Sequence, residues 1–145
     1  MGRPILLVED DPALAVVIAD MLEQADYEVD GPYATLSDGM EALARHMPAA
    51  AILDVRLGQG DAGLLADDLD LYDIPYLFCS GAFDHPAVRA HPAAPLIPNR
   101  TGFVPDPWLR GASRRHRPDK FPRRIGHYPH HHPSQDRQDA SGYPE

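Results

Sequence analysis

Ile5-Leu6-Leu7-Val8-Glu9-Asp10-Asp11-Pro12 is the stretch from which the fold follows. Four apolar residues in a row read as a short strand covered on both faces, as in a parallel sheet. Three acids end it, and Asp11-Pro12 reads as an N-cap with proline in the first turn of a helix. Apolar residues then recur at Leu14, Val17, Ile18, Met21 and Leu22, the stripe of an amphipathic helix.

The same alternation repeats downstream. Tyr27 to Val29 is a weaker strand that should end at Gly31-Pro32. Thr35-Leu36-Ser37-Asp38 resembles a capping box and opens a helix with Leu36, Met40, Leu43 and Met47 on one face. Ala50-Ala51-Ile52-Leu53 is a buried strand ending at Asp54. After the Gly58-Gln59-Gly60 loop, Leu65, Leu69 and Tyr72 mark a third helix. Tyr76-Leu77-Phe78-Cys79 is a fourth strand ending at Ser80-Gly81, Pro86 to Ala90 a short helix, and Leu96-Ile97 the stub of a fifth strand. Strands alternating with helices imply right-handed crossovers and a doubly wound α/β domain with a parallel sheet.

Charge divides the chain. Residues 1–97 carry 4 basic against 17 acidic side chains, and residues 98–145 carry 9 against 5. Half of the 16 prolines and five of the eight histidines also lie in that last third. Two units are therefore expected: a folded acidic domain over 1–98, and a Pro/Arg/His-rich tail over 99–145 that is disordered. His127 and His130-His131-His132 lie in this proline-broken tail, which offers no scaffold for a zinc site. Arg114-Arg115-His116-Arg117 with Lys120 could touch phosphates only unspecifically, so no nucleic-acid role is expected. A single cysteine, Cys79, excludes an internal disulfide and fits a reducing compartment. No stretch approaches the roughly 20 apolar residues of a membrane span, and a cytoplasmic protein without membrane contact is expected.

In open α/β sheets, functional groups gather at the carboxyl ends of the strands. Here the first strand ends in Glu9-Asp10-Asp11, the third in Asp54 and the fourth in Ser80. Crowded carboxylates repel unless a cation bridges them, and hard oxygen ligands with room for water suit Mg2+.

The segments Ile5 to Asp11, Ala51-Ile52-Leu53-Asp54-Val55 and Cys79-Ser80-Gly81 are similar, in order and spacing, to response regulator receiver domains. Gly31-Pro32 to Leu43, Ile52 to Gly58 and Asp73-Ile74-Pro75-Tyr76 resemble a stand-alone, chemotaxis-regulator-like bacterial subclass. The resemblance implies a truncated receiver over 1–98, with the flavodoxin-like strand order 2-1-3-4-5 and the fifth strand and fifth helix incomplete or missing. It implies a phosphorelay protein that takes a phosphoryl group on Asp54 from a sensor histidine kinase or phosphotransfer protein and signals to a downstream protein. Any catalysis would be self-catalysed phosphotransfer and dephosphorylation. Glu9, Asp10, Asp54 and the backbone carbonyl of Arg56 would hold Mg2+, and Ser80 would be the switch hydroxyl. The alternative is a degenerate receiver that only binds a protein partner.

That alternative rests on departures from the family pattern. Asn99 stands where the family has a lysine before proline, and Leu96 is nearest to its aromatic switch position. The genetic code accounts for the first. Asn99-Arg100-Thr101 can be encoded by AAY-CGN-ACN, and one restored A then gives AAA-YCG-NAC, which can read Lys-Pro-Tyr. The segment from Asn99 onward is therefore expected to be the product of a shifted reading frame. Sequencing the gene checks this: read one base back, the nucleotides should give Lys-Pro at this point and a helix-like continuation. A sequence giving neither makes the tail an extension in its own right.

Overall fold

A computed structural model describes residues 2–58, 60–81 and 84–98, together with Trp108, Arg110 and Gly111. Strand β1 (Ile5–Val8) leads into helix α1 (Pro12–Gln24), followed by β2 (Val29–Tyr33), α2 (Leu36–Arg45) and β3 (Ala50–Leu53). Then come a small antiparallel pair, β4 (Arg56–Leu57) and β5 (Gly60–Asp61), and α3 (Gly63–Leu71). The chain continues through β6 (Tyr76–Cys79), α4 (Pro86–Arg89) and β7 (Leu96–Ile97). The main sheet has the order β2-β1-β3-β6-β7, with every neighbouring pair parallel. Counting its five strands in sequence, this is the expected 2-1-3-4-5 order. The order reverses at β1, and the crevice of such a fold opens there, beyond the carboxyl ends of β1 and β3.

Side-chain alternation divides the core into two layers. Leu6 and Val8 of β1, with Ala51 and Leu53 of β3 and Phe78 of β6, pack against Ala42 and Leu43 of α2 and Leu65 and Leu69 of α3. Ile5, Leu7, Ile52 and Leu77 point the other way, onto Ile18 and Leu22 of α1. Consecutive strand residues face opposite sides of a sheet, so an unbroken apolar run serves both layers at once. Trp108 also packs on the α1 side. It belongs to the segment expected to be a disordered tail, most of which lies outside the described residues.

Three local expectations need correction. Val17, expected in the buried stripe of α1, is 51% exposed, while Ala15, Ile18 and Leu22 face the sheet. Val17 sits about 100° around the helix from Ile18, beyond the edge of the buried face. The second strand does not stop at Gly31-Pro32 but runs through it to Tyr33. There the register shifts, with Leu6 opposite Asp30 and Val8 opposite Tyr33, so that Gly31 and Pro32 share the place opposite Leu7. Proline is tolerated because β2 lies at the sheet edge, and the bulge absorbs the extra residue. Finally, the Gly58-Gln59-Gly60 segment is not a plain loop, since Leu57 pairs with Gly60 across it.

Among the described residues, no helix is long and apolar enough to cross a membrane. The caps foreseen in the sequence are formed. The Asp11 carboxylate accepts hydrogen bonds from the Ala13 and Leu14 amides, and the Thr35 hydroxyl accepts one from the Asp38 amide at 3.0 Å.

Gly31, the one glycine of β2, is the least replaceable of the described glycines. Its φ is +126°, and a Cβ there would stand 2.6 Å from the Leu7 carbonyl oxygen. Gly58 also has a positive φ, +62°, but open space around the position. Gly31→Ala should therefore cost on the order of 1–3 kcal/mol. Gly58→Ala should cost less, about 1 kcal/mol, for its left-handed backbone alone. Urea unfolding of the two variants checks the ranking; equal midpoints would contradict it.

Candidate functional site

Parallel pairing of β1 with β3 sets Val8 beside Leu53, so the next residue of each strand, Glu9 and Asp54, emerges at the same sheet edge. The Asp54 amide donates to the Val8 carbonyl at 2.8 Å, and the Glu9 amide to the Tyr33 carbonyl at 2.8 Å. Both carboxylates are thereby fixed at the backbone. Glu9 Oε2 accepts the Asp11 amide at 3.1 Å, just before Asp11 caps α1. Asp10 is exposed, and its Oδ2 accepts the Gly58 amide from across the crevice at 3.4 Å. Ligand oxygens of Glu9, Asp10 and Asp54 lie within 4.8 Å of one another.

Glu9 is only 3% exposed and Asp54 only 7%. Burial, reinforced by the Asp54 and Asp10 charges, raises the Glu9 pKa to about 8 against the pull of the Asp11 amide. Burial and hydrogen bonding with Asp10 raise Asp54 to about 6, with a hydrogen bond from the Glu9 side chain and then the Arg56 backbone N–H acting in the opposite sense. Once Glu9 is ionised, its buried Oε1 has no hydrogen-bond donor among the described residues. A buried lone pair left unsatisfied, beside two further carboxylates, is what a bridging cation would satisfy. Three hard oxygen donors, one of them at the exposed mouth, fit a divalent ion such as Mg2+ that keeps part of its water shell.

Ser80 directly follows β6, is buried, and its amide donates to the Ile97 carbonyl at 2.9 Å. Because Leu53 pairs with Phe78, Ser80 stands at the same edge of the sheet as Asp54. Arg56 opens β4 opposite Asp61, with its side chain exposed. Asn99 lies outside the described residues. Two contributors were not foreseen from the sequence. The Gly58 amide anchors Asp10, and its only sequence signal was the Gly-x-Gly turn. Cys79 lies beneath the acids, and its thiol is pushed up to about 12, by burial first and then by the Glu9 and Asp54 charges. It is held as an unreactive thiol.

In structure the chain is similar to the BeF3-activated N-terminal receiver domain of Klebsiella pneumoniae RstA, at 25% identity and a TM-score of 0.60. That match covers 79% of this chain and 97% of the other. The non-phosphorylated HemR receiver domain from Leptospira biflexa is similar at 27% identity and a TM-score of 0.58, over 90% of this chain and 99% of the other. The PhyR stress response regulator is similar at 25% identity and a TM-score of 0.57; 78% of this chain matches 43% of that one. No protein-family model and no curated protein matches the sequence. The fold is that of a response regulator receiver domain, of the flavodoxin-like kind.

The raised acids set a direction for stability against pH. Below 4.5, Glu9 is protonated whether the chain is folded or not. As pH rises toward about 8, the unfolded chain ionises first and the folded chain must then charge a buried group. Stability of the metal-free protein should therefore fall across that interval, with Asp54 contributing in the lower part. Glu9→Gln should flatten the profile and stabilise the metal-free protein at pH 8 by on the order of 1–3 kcal/mol. Mg2+ should restore the wild type more than the variant. Urea unfolding across this pH range, with and without Mg2+, checks both; a flat wild-type profile would count against the buried-charge account.

Proposed function

We propose that this chain is a phosphoacceptor of the response-regulator kind, with Asp54 as the residue that carries the phosphoryl group. The observation that supports it best is the convergence of Glu9, Asp10 and Asp54, with one buried Glu9 oxygen left without a donor among the described residues. The donor would be a phosphohistidine on a sensor kinase or phosphotransfer protein, and the receiver of the signal a downstream protein.

The chemistry is one displacement. An Asp54 carboxylate oxygen attacks phosphorus, an O–P bond forms and the P–N bond to the donor imidazole breaks. The imidazole nitrogen keeps the bond's electron pair and takes a proton. When bound by Glu9, Asp10, Asp54 and the Arg56 carbonyl, Mg2+ would offset charge between two anionic reactants. Backbone pairing of Asp54 and Glu9 holds the carboxylates in place before any donor arrives, so little reorganisation remains. Ser80 would donate its hydroxyl to a phosphoryl oxygen and carry the added charge into the start of the segment that follows β6.

Asn99 at the lysine position favours a second reading, a protein-binding module without phosphorylation. One experiment separates the two. With acetyl phosphate and Mg2+, the wild-type chain should gain one phosphoryl group, measured by intact mass, and Asp54→Asn should gain none. Without Mg2+, labelling should be slower on the order of 100-fold or more. A folded wild type that takes no label supports the binding module. Equal labelling of both proteins removes Asp54 from its role.

A further inference from the structure

Away from the acidic crevice, His91 is buried with its ring clamped between two helices. Its side chain is 6% exposed. Nδ1 lies 2.7 Å from the Ala87 carbonyl oxygen of α4, and Nε2 lies 2.7 Å from Asp67 Oδ1 of α3. Asp70, one turn further along α3, stands 4.0 Å from Nε2 and accepts the Tyr76 hydroxyl at 3.0 Å. The rings of Tyr76 and Phe78 approach the imidazole edge-to-face at 6.2 and 6.1 Å.

Both ring nitrogens thus face acceptors. A neutral imidazole has one N–H and can satisfy only one of them; the other contact would set lone pair against lone pair. The imidazolium satisfies both with charge-assisted bonds, the one to Asp67 joining two opposite charges. We propose that His91 in its doubly protonated form is an ionic latch that fastens α4 to α3 and releases it on deprotonation.

The surroundings agree in sign. Burial lowers the His91 pKa, but the Ala87 carbonyl, the Asp67 hydrogen bond and the Asp67 and Asp70 charges together hold it above 6.5. The charged or titratable neighbours are Asp67 and Asp70 on α3 and Tyr76 on β6. Of the groups on its own segment, Arg89 is paired with Asp84, and the His85 ring nitrogen accepts the Ala87 amide. The latch has something to hold, because α4 has only four residues and does not form a stable helix by itself. It also has something to report to, since α4 follows closely on Ser80 in the chain. Stability contributed by the latch is fully present below 6.5 and is lost as pH rises through the higher folded value.

Nitrogen-15 NMR of the imidazole reads the proposal directly. The His91 ring of the wild type should carry protons on both nitrogens at pH 6.5, and its titration midpoint should lie above that of an exposed histidine. A ring found as one neutral tautomer at that pH overturns the latch, whatever happens to variants. Amide exchange then tests release. After correction for intrinsic rates, Val88, Arg89 and Ala90 should lose protection as pH rises through the titration, by at most about tenfold for each unit of pH. Asp67→Asn, an exposed change that leaves the ring in place, should lower the midpoint and weaken that dependence. An unchanged midpoint and unchanged protection in Asp67→Asn would likewise overturn the proposal.

Discussion

The cost of burying two carboxylates side by side is the constraint around which this site is organised. The sheet brings Glu9 and Asp54 to the ends of adjacent strands and buries both, where a negative charge is costly. Local hydrogen bonds relieve only part of that cost. The Asp11 amide meets one Glu9 oxygen and leaves the other unpartnered among the described residues. Buried acids with raised pKa values gathered at one crevice are the feature on which the proposed site rests.

The rest of the architecture keeps those strand ends fixed. β1 and β3 are buried on both faces, with alternate residues serving opposite layers, so neither strand can slip without turning its side chains into the wrong layer. Each then delivers its acid at a height set by register. The β4–β5 pair stiffens the segment beyond Asp54 and turns the Gly58 amide toward Asp10. The edge is less constrained. β7 has two half-buried residues, and β2 bends around a bulge, so definition falls off from the centre of the sheet outward.

Two electrostatic centres of opposite character therefore sit at different places in one small domain. The crevice gathers negative charge that calls for a cation. The His91 cluster supplies its own cation, with Asp67 and Asp70 balancing it. β6 joins them, with Ser80 at one centre and the Tyr76 and Phe78 rings at the other. That common strand gives a physical route along which the crevice and α4 can influence each other, through packed side chains and a short stretch of chain.

The order of elements, the doubly wound sheet and the acids at its edge were legible in the sequence, because each depends on neighbours along the chain. Apolar runs ending in acids mark buried strands, Asp11-Pro12 and Thr35 mark helix starts, and these local signals agree with the fold. Strand ends follow from strands, so Glu9, Asp10, Asp54 and Ser80 could be picked out before their distances were known. Other features rest on contacts between segments far apart in sequence. Val17 turned outward because the packed face of α1 centres on Ala15, Ile18 and Leu22, and it lies about 100° around the helix from Ile18. The strand ran through Gly31-Pro32 because an edge position forgives a missing donor. The unpartnered oxygen of Glu9 and the clamped ring of His91 were invisible in the sequence, where each is one polar residue among many. Burial and the acceptors brought across from other elements decide what such a residue does, and only the packed chain supplies them.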